Sequence, residues 1–144
     1  MSSFQTDKHK AIYRQVIAAV NSGDTAALDA FLAADLVDHN PIPDQGPGRD
    51  GFKEWMRSAR TSFPDMSGTI ERILAEDDLL AAHVVWRGNQ RGTFVGVAPT
   101  NQFVVLPAFH IVRFSGDRIV EWSGAADLLG ALLQLGARVI AFPE

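Results

Sequence analysis

The sequence contains no cysteine, and this absence removes several kinds of chemistry together. Disulfides, thiolate nucleophiles and thiolate metal sites are excluded, which is compatible with a cytoplasmic location. Basic clusters are also missing, because 13 Lys and Arg residues stand against 17 Asp and Glu residues, for a net charge of −4. A protein that binds nucleic acid through its phosphates needs clustered positive charge, so nucleic acid is not an expected partner.

Long apolar runs and cofactor motifs are absent as well. The N-terminal segment is polar and charged, and the apolar stretch 79–86 is short and interrupted by His83, so neither a signal peptide nor a membrane span is predicted. No HExxH or EF-hand pattern occurs, and the segment 46–48 (Gly-Pro-Gly) lacks the lysine and the preceding strand of a phosphate loop. The sequence therefore predicts a cytoplasmic protein that uses neither a metal nor an organic cofactor.

Apolar residues make up 47% of the 144 residues, which is enough to bury the core of one domain over residues 1–144. Apolar residues recur at helical spacing in the first part of the chain and alternate after Pro64. The spacing predicts helices over residues 6–21, 24–32, 50–62 and 125–135. The alternation and the turn signals predict strands over residues 67–75, 79–88, 92–97, 102–114 and 118–122.

Helices followed by consecutive hairpins indicate the α+β class. We expect a cone-shaped, curved antiparallel β-sheet wrapped by three N-terminal helices, with a short C-terminal helix. The concave side of such a sheet is a natural cavity for a small molecule. Because strands 79–86 and 103–114 carry apolar residues at both parities while helices cover only one face, we also expect a homodimer through the outer face.

Two of the four histidines are candidates for chemistry. His110 lies in an apolar strand, where an imidazole needs a hydrogen-bond partner or a wet cavity. A position in a pocket and a position as a satisfied core histidine both remain open. His39 lies in the segment 38–41 (Asp-His-Asn-Pro), at an element end where functional groups concentrate, although packing within a loop is the alternative. His9 is expected on the surface, and His83 is expected to be a hydrogen-bonded residue of the sheet.

One carboxylate and several aromatic residues complete the candidate site. Asp127 follows Ser123, a possible helix N-cap, so its charge would favour the positive end of the helix; the alternative is an acid or base at the mouth of the cone. Flat aromatic walls suit a flat polycyclic or terpenoid ligand. The side chains expected to line the cavity are Trp55, Met56, Phe63, Trp86 and Trp122.

Several blocks of the sequence resemble the SnoaL-like polyketide cyclases, which share the cone-shaped fold of nuclear transport factor two. They are VDHNPIPDQGPGRDGF (37–52), FPD (63–65), RGTFVGVAPT (91–100) and the segment 110–136 with its closing ADLLGALLQLG, in family order over roughly residues 8–136.

In the characterised cyclases, a cavity aspartate and a cavity histidine serve an intramolecular aldol closure without a metal. The resemblance implies that His110 is this histidine and that Asn40 is the loop asparagine before proline, which contacts substrate. The position of the aspartate, however, is Gly124 here, and glycine cannot transfer a proton.

The resemblance implies a cofactor-free acid–base enzyme that cyclises, isomerises, hydrates or dehydrates a hydrophobic, polyketide- or terpenoid-like small molecule. His110 would be the acid or base, assisted by His39 or Asp127. The alternative is a non-catalytic small-molecule-binding or accessory domain, since Gly124 removes the cyclase carboxylate. A dimeric structural module is a third reading.

Overall fold

The computed structural model describes residues 2–143, which contain one five-stranded, curved, open sheet and four helical segments. In chain order the elements are α1 (Ser3–Ser22), a 3₁₀-helix (Thr25–Ala30), β1 (Leu32–Asp38), α2 (Gly48–Ser62), β2 (Ser67–Glu76), β3 (Leu79–Asn89), β4 (Phe103–Ser115), β5 (Arg118–Ala126) and α3 (Leu128–Gln134). The strand order is β1-β5-β4-β3-β2. This architecture confirms the predicted α+β class. Within residues 2–143, no helix combines the length and the apolar character needed to cross a bilayer.

Helix α1 forms because its ends are capped and one of its faces is apolar. The Ser2 hydroxyl accepts a hydrogen bond from the Gln5 amide, and Gly23 ends the helix with a φ of 73°, a conformation that glycine adopts without steric cost. The buried stripe of α1, which includes Tyr13 and Val16, packs in the same core cluster as the strands. Helix α1 therefore covers one face of the sheet. His9 is also buried on α1, where its ring stacks on Phe114, so the prediction of a surface position was wrong.

The two faces of the sheet differ in what covers them. The inner face carries the side chains of Leu80, Val84, Val112 and Trp122, all of which belong to the buried core. The opposite, outer face carries exposed apolar side chains, and Phe109 there stacks on the ring of His83 with centroids 4.5 Å apart. The structure thus leaves apolar side chains uncovered on one face, as the two-sided hydrophobic pattern requires.

Strand β1 was not predicted, and it changes the type of sheet. It pairs with β5 in parallel, so the sheet is mixed rather than purely antiparallel. The sequence of β1 (LAADLVD) lacks regular alternation, and its burial is irregular as well. The second helix is correspondingly shorter than predicted: it is a 3₁₀-helix that ends at Ala30, before β1 begins.

Two further segments differ from the prediction. Residues 92–97 form a tight turn instead of a strand, in which Phe94 and Val97 exchange backbone hydrogen bonds and Val95 and Gly96 have positive φ angles. The C-terminal helix begins at Leu128 rather than at residue 125, because β5 continues to Ala126.

Candidate functional site

His110 lies on the inner face of β4, where it pairs with Gly124 of β5, and only 9% of its surface is exposed. Its Nδ1 atom lies 2.7 Å from the hydroxyl of Tyr13 on α1, and its ring centroid lies 4.8 Å from that of Trp122. Burial lowers the pKa of His110 from 6.5 to about 4, although the negative charge of Asp38 opposes this shift. His110 is therefore a neutral imidazole at pH 7.

Tyr13 is fully buried, and burial raises the pKa of its phenol above the ordinary value. Its ring stacks on Trp122 at a centroid distance of 6.0 Å, and Phe52 of α2 packs against the same indole at 4.9 Å. These contacts hold the Tyr13–His110 pair between α1, α2 and the sheet. Sequence reasoning missed Tyr13, although a hydroxyl on the apolar stripe of a helix signals a buried polar partner.

Gly124 lies directly against the imidazole, with little room for a side chain. A Cβ atom at this residue would lie 3.2 Å from Cδ2 of His110 and 3.4 Å from Nε1 of Trp122, and its backbone is not left-handed. The Gly124 amide donates to Oδ1 of Asn40 at 3.0 Å, which ties β5 to the loop after β1. A side chain at position 124 would therefore contact His110 directly, as the resemblance implies for the cyclase aspartate.

Asp38 brings a carboxylate to the same end of the inner face. It is the last residue of β1 and pairs with Trp122, so its side chain points to the same side of the sheet as the indole. One carboxylate oxygen accepts from the Asn40 amide at 3.0 Å, and the other accepts from Nε2 of Gln45 at 2.9 Å. Asp38 is half-buried and electrostatically coupled to His110.

The loop that carries these partners is held against α2. Gly51 approaches the Gly46 carbonyl so closely that a Cβ atom on Gly51 would overlap it. The amide of Ile42 also donates to Oε1 of Gln45 at 3.1 Å, which orients the glutamine amide toward Asp38. The loop thus holds the carboxylate of Asp38 through hydrogen bonds to both of its oxygens.

The structure does not bring His39 to His110. The Nε2 atom of His39 lies 2.9 Å from Oε1 of Glu121, in an exposed hydrogen bond, and Glu121 also accepts from Nε of Arg113 at 2.6 Å. These two hydrogen bonds lower the pKa of Glu121 below its ordinary value. Because adjacent residues of a strand face opposite sides, His39 and Asp38 point in different directions.

Asp127 is placed beyond the end of β5, where it is exposed. It is itself the N-cap of α3, and its Oδ1 accepts from the Gly130 amide at 2.9 Å. The predicted N-cap, Ser123, lies inside β5 instead. The structure therefore gives Asp127 a capping contact and does not place it beside His110.

The predicted lining residues fall into separate groups. Trp55 packs on Phe52 and Trp86 covers Gly68, whereas Phe63 packs on Phe94 in a second cluster under α3. Met56 lines a cavity of about 260 Å³ between α1, the 3₁₀-helix and α2. A second cavity, of about 400 Å³, lies around the amino-terminal end of α1 and the turn between β4 and β5.

Neither of these two cavities is lined by His110, Trp122 or Asp38. The residues around His110 pack on one another instead. Within residues 2–143, histidine and carboxylate side chains form no group of three or more suited to a metal ion. The site thus offers a neutral imidazole, a phenol and a carboxylate in an aromatic environment.

Comparison with solved structures supports the fold throughout. TsrD from Streptomyces laurentii superposes with a TM-score of 0.85 at 24% identity, covering 92% of this chain and 97% of that one. IdmH from Streptomyces antibioticus, whose proposed role is that of a polyketide cyclase, superposes with a TM-score of 0.79 at 31% identity, covering 90% and 99%. AclR from Streptomyces galilaeus, a proposed hydroxylase, gives 0.80 at 25% identity, covering 91% and 97%.

Comparison with curated protein sequences gives no match. The sequence pattern of the family described as SnoaL-like polyketide cyclase matches residues 10–135, which is most of the chain. This match runs from within α1 through the whole sheet to the end of α3, and it includes His110, Gly124 and Asp38. The chain belongs to the SnoaL-like polyketide cyclase family.

Proposed function

We propose that this protein is a cofactor-free acid–base enzyme that acts on a hydrophobic, polyketide- or terpenoid-like carbonyl compound, by cyclisation, isomerisation or hydration and dehydration. The observation that carries the proposal is the buried neutral imidazole of His110, which lies against Gly124 and is electrostatically coupled to the carboxylate of Asp38. Family membership and the 31% identity to IdmH support the same class of substrate.

The roles of the two groups differ because their charges differ. A neutral imidazole whose pKa is about 4 is a poor proton acceptor at pH 7, so His110 acts as a hydrogen-bond donor to a carbonyl oxygen. Asp38 is the carboxylate coupled to His110, and it acts as the base. The sequence predicts His39 or Asp127 as the assisting group, but His39 contacts Glu121 and Asp127 caps α3.

An aldol closure balances with these two groups alone. The carboxylate of Asp38 removes a proton from the carbon next to the first carbonyl, and the resulting enolate oxygen accepts a hydrogen bond from His110. The enolate carbon then forms a bond to the second carbonyl carbon, whose oxygen takes the proton back from Asp38. No oxidant, metal or further reactant is consumed.

The test is turnover of polyketide methyl esters by the variants His110→Ala and Asp38→Asn, followed by chromatography of the ring-closed product. Each variant should lose about 10²–10⁴-fold in kcat, the usual contribution of a general acid or base. Asp35→Asn is the matched control, because Asp35 is an exposed carboxylate of the same strand. Wild-type turnover in both His110→Ala and Asp38→Asn would overturn the proposal.

The second candidate is a non-catalytic small-molecule-binding domain, and the glycine at position 124 favours it because it removes the cyclase carboxylate. Calorimetry with the same methyl esters separates the two candidates. Micromolar binding without turnover would establish the binding domain, whereas turnover that depends on His110 would exclude it.

We also propose that a second copy of the chain covers the outer face of the sheet. Leu74, Phe109 and Ile111 are 71%, 58% and 55% exposed on the strands, and contiguous apolar surface of this kind is typical of an interface. Arg113 and Glu121 place charges of both signs beside it. These two side chains pair with each other at 2.6 Å, so their charges largely compensate, and a two-fold axis would set the same apolar patch of each copy against the other.

A further inference from the structure

We infer that Tyr13 is a positioning residue that fixes the tautomer of His110, so that the N–H group is carried by Nε2, on the ring edge beside Gly124. This inference deepens the proposed function and rests on it for its catalytic consequence. It specifies the ligand chemistry as well: the group that enters beside His110 must be a hydrogen-bond acceptor, such as a carbonyl oxygen or an enolate.

The direction of the Tyr13–His110 hydrogen bond follows from an inventory of donors. A phenol has one O–H donor, and leaving it unpaired in the core would cost free energy. Within residues 2–143, Nδ1 of His110 is the one partner of the Tyr13 hydroxyl, at 2.7 Å. The phenol therefore donates to Nδ1, and a neutral imidazole that accepts at Nδ1 carries its proton at Nε2.

The position of Nε2 follows from the covalent structure of the ring. The Cδ2 atom is bonded to Nε2, and Cδ2 is the atom of His110 that lies 3.2 Å from the Cβ position of Gly124. The Nδ1 edge faces α1, and the opposite edge faces Gly124 of β5. No hydrogen bond within the described residues reaches Nε2, and Nε2 is not among the fully buried polar atoms without partners, so this N–H is available to a ligand.

The ring is also held in its plane. Trp122 packs against both members of the pair, at centroid distances of 6.0 Å from Tyr13 and 4.8 Å from His110. A donor that is already oriented costs little reorganisation when negative charge develops on a substrate oxygen. Tyr13 thus makes His110 an oriented hydrogen-bond donor and occupies the one basic lone pair of the ring, at Nδ1.

The tautomer can be measured directly by ¹⁵N NMR of the four histidine side chains, with the His110 signals assigned by their loss in His110→Gln. We expect an unprotonated Nδ1 and a protonated Nε2 for His110 in the unmodified protein at pH 7. In Tyr13→Phe, which keeps the ring and removes the hydroxyl, we expect the Nδ1 resonance to shift and a second tautomer to appear. A protonated Nδ1 in the unmodified protein would overturn the inference without any variant.

Kinetics supply the second readout. Loss of the partner that orients a metal-bound histidine typically costs about 10–100-fold, and by the same reasoning Tyr13→Phe should lower kcat by about that factor with little change in KM. Val16→Ala is the control, because it removes buried volume one turn along α1 and leaves the hydrogen bond intact. It should leave both the tautomer and kcat unchanged.

The outcomes separate this inference from the proposed function. An Nε2–H tautomer that depends on Tyr13 supports the inference even if no tested ester is turned over, in which case the proposed function fails alone. Normal kcat in Tyr13→Phe, with turnover that still depends on His110, would overturn the positioning role and leave the acid–base function standing.

Discussion

Lowering the pH should unfold this protein partly through one residue, His110. In the unfolded chain its imidazole has the ordinary pKa of 6.5, whereas in the folded protein burial lowers the pKa to about 4. Between these values the unfolded chain binds one more proton than the folded protein. Stability therefore falls as the pH drops from about 6.5 toward 4, and the contribution of His110 is fully present only above that window.

The magnitude follows from the size of the shift. One pKa unit corresponds to about 1.4 kcal/mol, so a shift from 6.5 to about 4 amounts to about 3 kcal/mol over the whole window. Several carboxylates also have pKa values below their ordinary range, because they are paired or hydrogen-bonded in the fold, but they titrate at lower pH. They are Asp29, Asp65, Asp117 and Glu121. The interval from pH 6.5 to 5 thus isolates histidine protonation.

Urea denaturation at half-unit steps of pH, on the unmodified protein and on His110→Gln, measures the effect. Relative to the variant, the unmodified protein should lose about 2 kcal/mol of unfolding free energy between pH 6.5 and 5. Other titrating groups cancel in this difference because both proteins contain them. Parallel stability curves for the two proteins across this interval would refute the reasoning.

Three more predictions follow from single contacts. Gly124→Asp places a carboxylate against His110, so the pKa of His110 should rise by about 1–3 units in an NMR titration, and ring closure of a polyketide methyl ester should increase; an unchanged titration would contradict this. Light scattering should give twice 15.7 kDa, and Phe109→Glu should give the monomer mass; a monomeric unmodified chain at micromolar concentration would exclude the dimer. Gln90 is fully buried and holds the loop before β4 through Thr100 and two carbonyls, so Gln90→Leu should cost about 2–4 kcal/mol in urea, and an unshifted midpoint would disprove this role.

Most of the fold could be predicted because it depends on periodicity that the sequence carries locally. The helical spacing before Pro64 gives α1 and α2, and the alternation after it gives β2 to β5 within a few residues of their observed ends. Strand β1 could not be predicted in this way, since its irregular pattern is stabilised by a partner strand near the other end of the chain.

The candidate site could also be predicted only in part. His110 stood out because an imidazole inside an apolar strand needs a partner, and the structure supplies Tyr13. The choice between Asp38 and its neighbour His39 depends on strand register, because a shift of one residue exchanges the two faces. Because β1 was not predicted, its register was unknown, and the sequence could not show which of Asp38 and His39 lies on the face of His110. Leu36 is buried and lies two residues before Asp38, so both side chains point to the same face of the strand. If β1 had been recognised, this buried leucine would have placed Asp38 on the inner face.

The parallel pairing of β1 with β5 also has a consequence for the order in which the protein folds. Leu32 pairs with Ile119, so β2, β3 and β4 are all translated between the two partners. Closing so long a loop costs chain entropy before any contact repays it, whereas the hairpins between β2 and β5 close locally. We therefore expect the antiparallel meander to assemble first and β1 to dock onto its edge afterwards. Asp38 would then reach His110 only in the final stage of folding, and β1 would be the first strand to exchange its amide hydrogens with solvent.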